Sequence, residues 1–180
     1  MTTPAEMTHH VSPIEPAALR RVCGLFVTGV TVVTTGTGGR TTGTTVNSFT
    51  SVSLEPPLVL FCLHRDSRLH EVLHESGTFA VNFLGGRQEA VARAFAGRRT
   101  ADMREVAHHR GRQGIPVLSD ALAFVTCRIV DRFAGGDHTI ILGEVLELGM
   151  PRRQEPLIFY AGAFGALAEE HRAGHPIWDS

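Results

Sequence analysis

The chain has 180 residues, 43% of them hydrophobic and 19% charged, with a formal net charge of −1. That suits one domain with a sizeable core and excludes a global basic field of the kind that gathers nucleic acid or anionic lipid. All 17 basic residues are arginine, which rules out a Schiff-base lysine, a pyridoxal-phosphate linkage and a Walker lysine, and leaves any phosphate to Arg, hydroxyls or backbone N–H groups.

The opening MTTPAEMTHHVSPIEP is polar and broken by proline. It lacks the charged-then-apolar order of a signal peptide, so residues 1–15 are expected to be a flexible tail on a cytoplasmic protein. No apolar run approaches the ~20 residues of a membrane span. Ala17 to Thr28 places Leu19, Val22, Leu25 and Phe26 at helical spacing after Pro16 and before Gly29. The period then changes. Val30 to Thr35 is β-branched and predicts a strand, GTGGR a hairpin turn, and Arg40 to Asn47 a Thr-rich returning strand. After Pro56-Pro57, the run LVLFCL (Leu58 to Leu63) predicts a strand buried on both faces.

Asp66 to Glu75 predicts a short helix, Thr78 to Leu84 a strand and Arg87 to Ala96 an amphipathic helix. Residues 97–114 are polar and basic and are expected to form a mobile loop. Two long strands, Ala121 to Phe133 and His138 to Leu148, flank the hairpin signal Ala134-Gly135-Gly136-Asp137. Leu157 to Tyr160 predicts a last strand, and 169–180 a polar tail. Short strands, few long helices and no G-x-G-x-x-G point to an antiparallel barrel with helices at its edges, not a dinucleotide-binding α/β sheet.

Cys23, Cys62 and Cys127 are odd in number and widely spaced, as buried small hydrophobes in a reducing compartment would be. The stretch HEVLH, His70 to His74, matches the H-E-x-x-H pattern that sets two zinc ligands on one helix face. The helix is short, ends at Gly77, and lacks a third His at the spacing of such enzymes. The expectation is therefore an amphipathic helix with Leu69, Val72 and Leu73 inward, and no metal site. His171 and His175 also sit four apart, in the tail, and read as an accident of composition.

Thr41 to Leu63, TTGTTVNSFTSVSLEPPLVLFCL, carries more information. It gathers hydroxyls and an amide without fixed charge, just before a buried strand. Such a segment suits the polar edge of a planar heterocycle or a phosphate ester. Ser67 and Arg68 follow at a helix start, where an anion is well placed. Two readings fit these residues alone: a ligand site, or a solvated sheet edge followed by an N-cap at Ser67 or Asp66.

GVTVVTT, TTVNSFTSVSLEPPLVLFCL, SRLHEVLHESGTFAVNFL, AGGDHTIILGEVLEL and PLIFYAGAFGAL occur in that order. Together they resemble the short-chain flavin reductases, the NAD(P)H:flavin reductase components of two-component monooxygenases. The resemblance spans roughly Ala17 to Leu167. It implies a mainly β fold, an antiparallel Greek-key split β-barrel that binds FMN or FAD, occupying residues 16–168 with a few peripheral helices. It implies NADH or NADPH as electron donor, hydride transfer from nicotinamide C4 to flavin N5, a homodimer, and a separate monooxygenase that receives reduced flavin.

By the same resemblance, Thr45, Val46, Asn47 and Ser48 line the flavin ring and ribityl chain, and Ser51 and Val52 add polar and backbone contacts. Cys62 and Leu63 lie against the flavin, Ser67 and Arg68 near its phosphate. Asn82 and Phe83 belong to a strand that approaches the flavin or the dimer seam. His138, in GDH, matches a histidine near nicotinamide and flavin; from the residues alone, a turn residue satisfying hairpin carbonyls is the alternative. Two stretches depart from the family pattern: ADMREV lacks an aromatic residue, and YAGAFG carries Ala161 and Phe164 where relatives often have Arg and Tyr. Arg98, Arg99 and Arg104 are candidates for meeting a nicotinamide 2′-phosphate. A non-catalytic flavin- or haem-binding protein on the same barrel is the alternative function.

Overall fold

The structure, a computed structural model, describes residues 14–37, 40–97, 102–151 and 154–167. In chain order the elements are α1 (Pro16–Cys23), β1 (Thr28–Gly29), β2 (Thr31–Thr37), β3 (Arg40–Val46), β4 (Thr50–Leu54), β5 (Pro57–His64) and α2 (Leu69–Ser76). They continue with β6 (Thr78–Phe83), α3 (Glu89–Ala94), β7 (His108–Arg110), β8 (Pro116–Leu118), β9 (Ala123–Gly135), β10 (His138–Gly149), β11 (Ile158–Tyr160) and β12 (Ala163–Gly165). One-turn 3-10 helices cover Met103–Glu105 and Arg112–Gly114.

One seven-stranded sheet has the order β3-β2-β6-β9-β10-β5-β4, with every neighbouring pair antiparallel. The fold is mainly β, as the alternating and β-branched runs imply. β1, β11 and β12 form a second sheet, and β7 and β8 a third. The large sheet curls until β3 approaches β5. No ladder joins these two strands, so the barrel stays split there.

One cluster fills the barrel. Val33, Phe61, Leu63, Phe79, Val81 and Ile141 pack with Leu69 and Leu73 of α2. The rings of Phe61 and Phe79 meet edge-on at 5.1 Å between centroids. Gly143 has no side chain because a Cβ there would overlap the Phe79 ring. A second cluster under α3 holds Val30, Val32, Leu84, Phe95, Met103 and Leu157. α2 presents Leu69 and Leu73 inward and ends at Gly77, whose φ of 64° is the left-handed conformation that glycine adopts without penalty.

Several expectations need correction. α1 stops at Cys23 and not at Thr28, because Thr28 is drawn into β1 opposite Phe159. LVLFCL is not buried on both faces: Val59, Phe61 and Leu63 are buried while Leu58, Leu60 and Cys62 are half-exposed, since only one face of β5 meets the core. The segment expected as a mobile loop contains β7 and a buried Met103; residues 98–101 of it lie outside the described residues, as do 1–13 of the expected tail 1–15, all of the expected tail 169–180 and the turn residues 38–39. β4, with Val52 and Leu54 exposed, was not foreseen, because only its partner β5 makes TSVSL a strand.

Candidate functional site

The site begins where the sheet fails to close. β4 pairs with β5 only as far as Leu60, so the outer edge of β5 has no strand beside it from Cys62 onward. Ser48 fills that gap: its Oγ accepts from the Cys62 N–H at 2.9 Å and lies 3.2 Å from the Cys62 carbonyl, to which it donates. Across the split, the Thr45 N–H donates to Phe95 O at 3.0 Å, and the Thr45 hydroxyl donates to Ala92 O at 2.7 Å. α3 therefore shields part of the β3 edge. Gly43 permits this, since a Cβ there would press on the Phe95 ring at 3.2 Å.

Between these stitches lies a cleft of about 630 Å³, within the ~300–1,000 Å³ usual for small-molecule sites. Of the residues named from sequence, Thr45, Val46, Asn47, Ser48, Cys62, Leu63, Ser67, Arg68 and His138 line it. The lining also includes Thr42, Gly43, Thr44, His64, Asp66, Leu69 and Gly97. Asn47 is exposed, so its amide is available to a ligand.

At one end, the chain turns from β5 into α2. The Ser67 N–H donates to His64 O at 2.9 Å, and the Ser67 hydroxyl accepts from Leu69 N–H at 3.3 Å. Ser67 thus lines the cleft and its hydroxyl receives one N–H of the helix start, while the N-cap position itself is Arg68, whose side chain makes no cap hydrogen bond. The positive end of the α2 dipole and the exposed Arg68 suit an anion there.

The other four named residues lie away from the cleft lining. Ser51 and Val52 are exposed on β4. Phe83 is half-buried and packs edge-on against Phe49 at 4.9 Å. Asn82 is fully buried. Its Nδ2 donates to Val32 O at 2.9 Å and Thr34 Oγ1 at 3.0 Å, and its Oδ1 accepts from Leu118 N–H at 2.8 Å. A polar side chain in an apolar strand resembles a ligand contact, but here it ties β2, β6 and β8 together.

His138 stands at the mouth of the cleft, first residue of β10. Its Nδ1 lies 2.7 Å from Asp137 Oδ1, and this hydrogen bond is the main cause that holds the Asp137 carboxyl below the ordinary carboxylate range. Sequence reasoning missed His64. It is the direct cross-strand partner of His138, and only the β5–β10 register reveals that.

The remaining motifs resolve locally. Glu71 of HEVLH and Glu75, which follows it, both pair with Arg40, while His70 Nε2 lies 3.1 Å from His64 O. Among the described residues, no group of three or more His, Cys, Asp or Glu side chains is placed to hold a metal ion. Arg104 is engaged by Asp102, whose carboxyl the guanidinium pulls down to about 2; Arg98, Arg99, His171 and His175 lie outside the described residues. In the YAGAFG stretch, Phe164 packs on Phe159 at 5.4 Å and beneath the Arg93 guanidinium at 4.9 Å.

The flavin reductase like domain matches residues 23–168. The chain belongs to this family. It is 42% identical over 176 residues to an NADH-dependent FAD reductase of Streptomyces globisporus, covering 95% of this chain and 94% of that one. It is 37% identical over 155 residues to the reductase component of 4-nitrophenol 4-monooxygenase/4-nitrocatechol 2-monooxygenase of Rhodococcus opacus, covering 86% and 83%. The Streptomyces globisporus NADH:FAD oxidoreductase, solved in complex with NAD and FAD fragments, superposes with a TM-score of 0.83 at 43% identity, over 89% of this chain and 98% of that one. The split barrel here is thus the flavin reductase fold.

The cleft suits the group this family implies. A flavin is a planar apolar ring with a polar edge and an anionic tail. The cleft offers half-buried Val46 and buried Leu63 for the ring, hydroxyls and the Asn47 amide for the edge, and Ser67 with Arg68 for the tail.

Proposed function

We propose that this chain is an NADH-dependent flavin reductase that reduces FMN or FAD and releases it to a separate flavin-dependent monooxygenase. The observation that carries the reading is the convergence of Asn47, Ser48, Ser67 and His138 on one cleft at the barrel split. Relatives named as NADH-dependent reductases and as monooxygenase reductase components support the two halves of the activity. Flavin and nicotinamide supply the hydride-transfer chemistry when bound.

The protein's part is to bind, align and exclude. Thr45 to Ser48 hold the ring edge, and Ser67 and Arg68 hold the phosphate. His138, oriented by Asp137, aligns the nicotinamide or holds a proton beside it. None of this calls for a nucleophile, and Cys62 serves as a small apolar wall. The cleft mouth is open to exposed residues such as His64 and Asp66, as an exchanging substrate needs.

The same reading makes the chain a cytoplasmic homodimer. α1 buries none of its residues, and Leu19, Val22, Leu25 and Phe26 are all exposed, with Phe26 at 77%. An amphipathic helix with its apolar side in water is stabilised by a second copy. Sedimentation of the purified chain should give twice the monomer mass. Among the described residues, no helix is long and apolar enough to cross a membrane.

The direct test mixes the purified protein with NADH or NADPH and FMN or FAD and follows the loss of nicotinamide absorbance. Flavin binding without oxidation of either nicotinamide would replace the reductase with a binding protein. His138→Ala should lower nicotinamide-dependent turnover roughly 10²-fold, in line with the loss of a positioned acid–base or orienting group, while the flavin Kd changes less than about threefold. Equal losses in both would remove the role given to His138.

A further inference from the structure

We propose that His64 is a positioning residue for His138, and that the two imidazoles share the Asp137 carboxylate as one unit at the mouth of the cleft. The inference rests on the reductase reading and adds a residue to that same site.

The register brings them together: His138 pairs with His64 across β10 and β5. Their rings meet edge-to-face at 5.2 Å between centroids. Asp137 stands between them. Its Oδ1 is 2.7 Å from His138 Nδ1 and its Oδ2 is 4.0 Å from His64 Nε2. Both rings line the cleft. The backbone closes the same corner, with Arg65 N–H donating to Asp137 O at 2.9 Å.

Other charged groups surround the pair from each packed element. Asp66, beyond β5, has its Oδ2 at 3.9 Å from His64 Nδ1. From α2, His70 reaches the His64 carbonyl. Arg68 lines the same cleft, and Arg65 follows His64 in the chain. His64 thus has a carboxylate on each side, whereas His138 has the Asp137 carboxylate in contact. A ring held by edge contact and by one end of a shared carboxylate restricts how His138 can turn.

His138 therefore does not act as an isolated group. His64 fixes the plane of its ring through contact and, through Asp137, the nitrogen that faces the cleft. Its removal should affect capture of the nicotinamide more than seating of the flavin, because Asn47, Ser48 and Ser67 are not part of the pair.

Two variants separate the contributions. His64→Phe keeps the ring contact and loses the nitrogens. His64→Gln keeps a side-chain donor near the Nε2 position. For His64→Phe the expected result is a rise in KM for NADH of roughly threefold to tenfold, with kcat within about twofold and flavin Kd unchanged. His64→Gln should return KM to within about twofold of the parent.

The second readout is the pair of ring nitrogen shifts and the ring proton contacts of His138, recorded by NMR at one fixed pH in the full chain without ligands. In the parent they should show one fixed ring orientation, with contacts to the His64 ring. In His64→Phe the ring contacts should remain while the two nitrogen shifts move toward each other, because the preference for one tautomer is lost. Unchanged His138 nitrogen shifts in His64→Phe overturn the proposal, whatever KM does. Changed shifts with parental KM remove the positioning role. Should the parent oxidise no nicotinamide at all, the reductase reading fails, while the His138 shifts alone still decide whether the histidines form a unit.

Discussion

Two asparagines show how differently the two sides of this barrel use the same side chain. Asn82 lies on β6, where the sheet is continuous, and Asn47 follows β3, where it is split. The ladder on the continuous side is complete, so a polar side chain pointing inward must find partners within the protein. Asn82 does, with three hydrogen bonds to Val32, Thr34 and Leu118. On the split side, strand edges lack neighbours, and Ser48 and Thr45 stitch them. Asn47 remains exposed there. Polar groups become available for a ligand where the sheet does not consume them.

Exchanging the roles of the two asparagines would break that contrast. Asn82→Ala should destabilise the fold by about 3 kcal/mol, because Leu118 N–H is left buried without a partner and a cavity opens. Chemical denaturation should show it as a lower midpoint. Asn47→Ala should leave stability within about 0.5 kcal/mol, as exposed sites do, but weaken flavin binding roughly tenfold, a loss of ~1.4 kcal/mol. If Asn82→Ala folded normally and Asn47→Ala unfolded, the division between the two sides would be wrong.

Ser48 tests the boundary between the regions. Its hydroxyl both closes the split and lines the cleft. Ser48→Ala should cost about 1 kcal/mol, the usual net worth of one hydrogen bond with its acceptor or donor left near solvent. Amide exchange at Cys62 should quicken in this variant, since that N–H loses its acceptor while the β5–β10 ladder is untouched. Slow exchange at Cys62 would mean that the split is held by something other than this serine.

The sequence exposed these regions unevenly. Period and β-branching announced β2, β3, β6, β9 and β10, because each has a long run that fits one environment. β4, β7, β8 and β12 are short, and pairing alone makes them strands. The cleft residues of 45–48 and 67–68 were legible because they follow one another in the chain at a strand end and a helix start. The partners of Asn82 were not legible, since nothing in TFAVNFL tells whether an amide faces a ligand or a neighbouring strand. His64 was missed for the converse reason: its meaning comes from standing opposite His138, and register is a property of two strands.

The cysteines give the mildest and most local test of the same contrast. Cys127, on β9 of the closed wall, is fully buried, and burial pushes its thiol up to about 12. It should stay protonated and inert toward thiol reagents at neutral pH until the protein unfolds. The unfolded thiol ionises first, near its ordinary 9.0, so this group's contribution to stability is present below that pH and is lost as pH rises toward about 12. Cys62, on β5 at the split, is half-exposed and lines the cleft. Labelling followed by mass spectrometry should therefore modify Cys62 slowly in the free protein, and added flavin should protect it. Cys23 on α1, the helix assigned to the dimer contact, serves as the comparison, since a flavin in the cleft leaves unchanged whatever labelling rate the dimer allows it. Protection of Cys62 without change at Cys23 ties the ligand to the split; equal protection of both would instead point to a general tightening of the fold, and the cleft would lose its claim to be where the flavin sits.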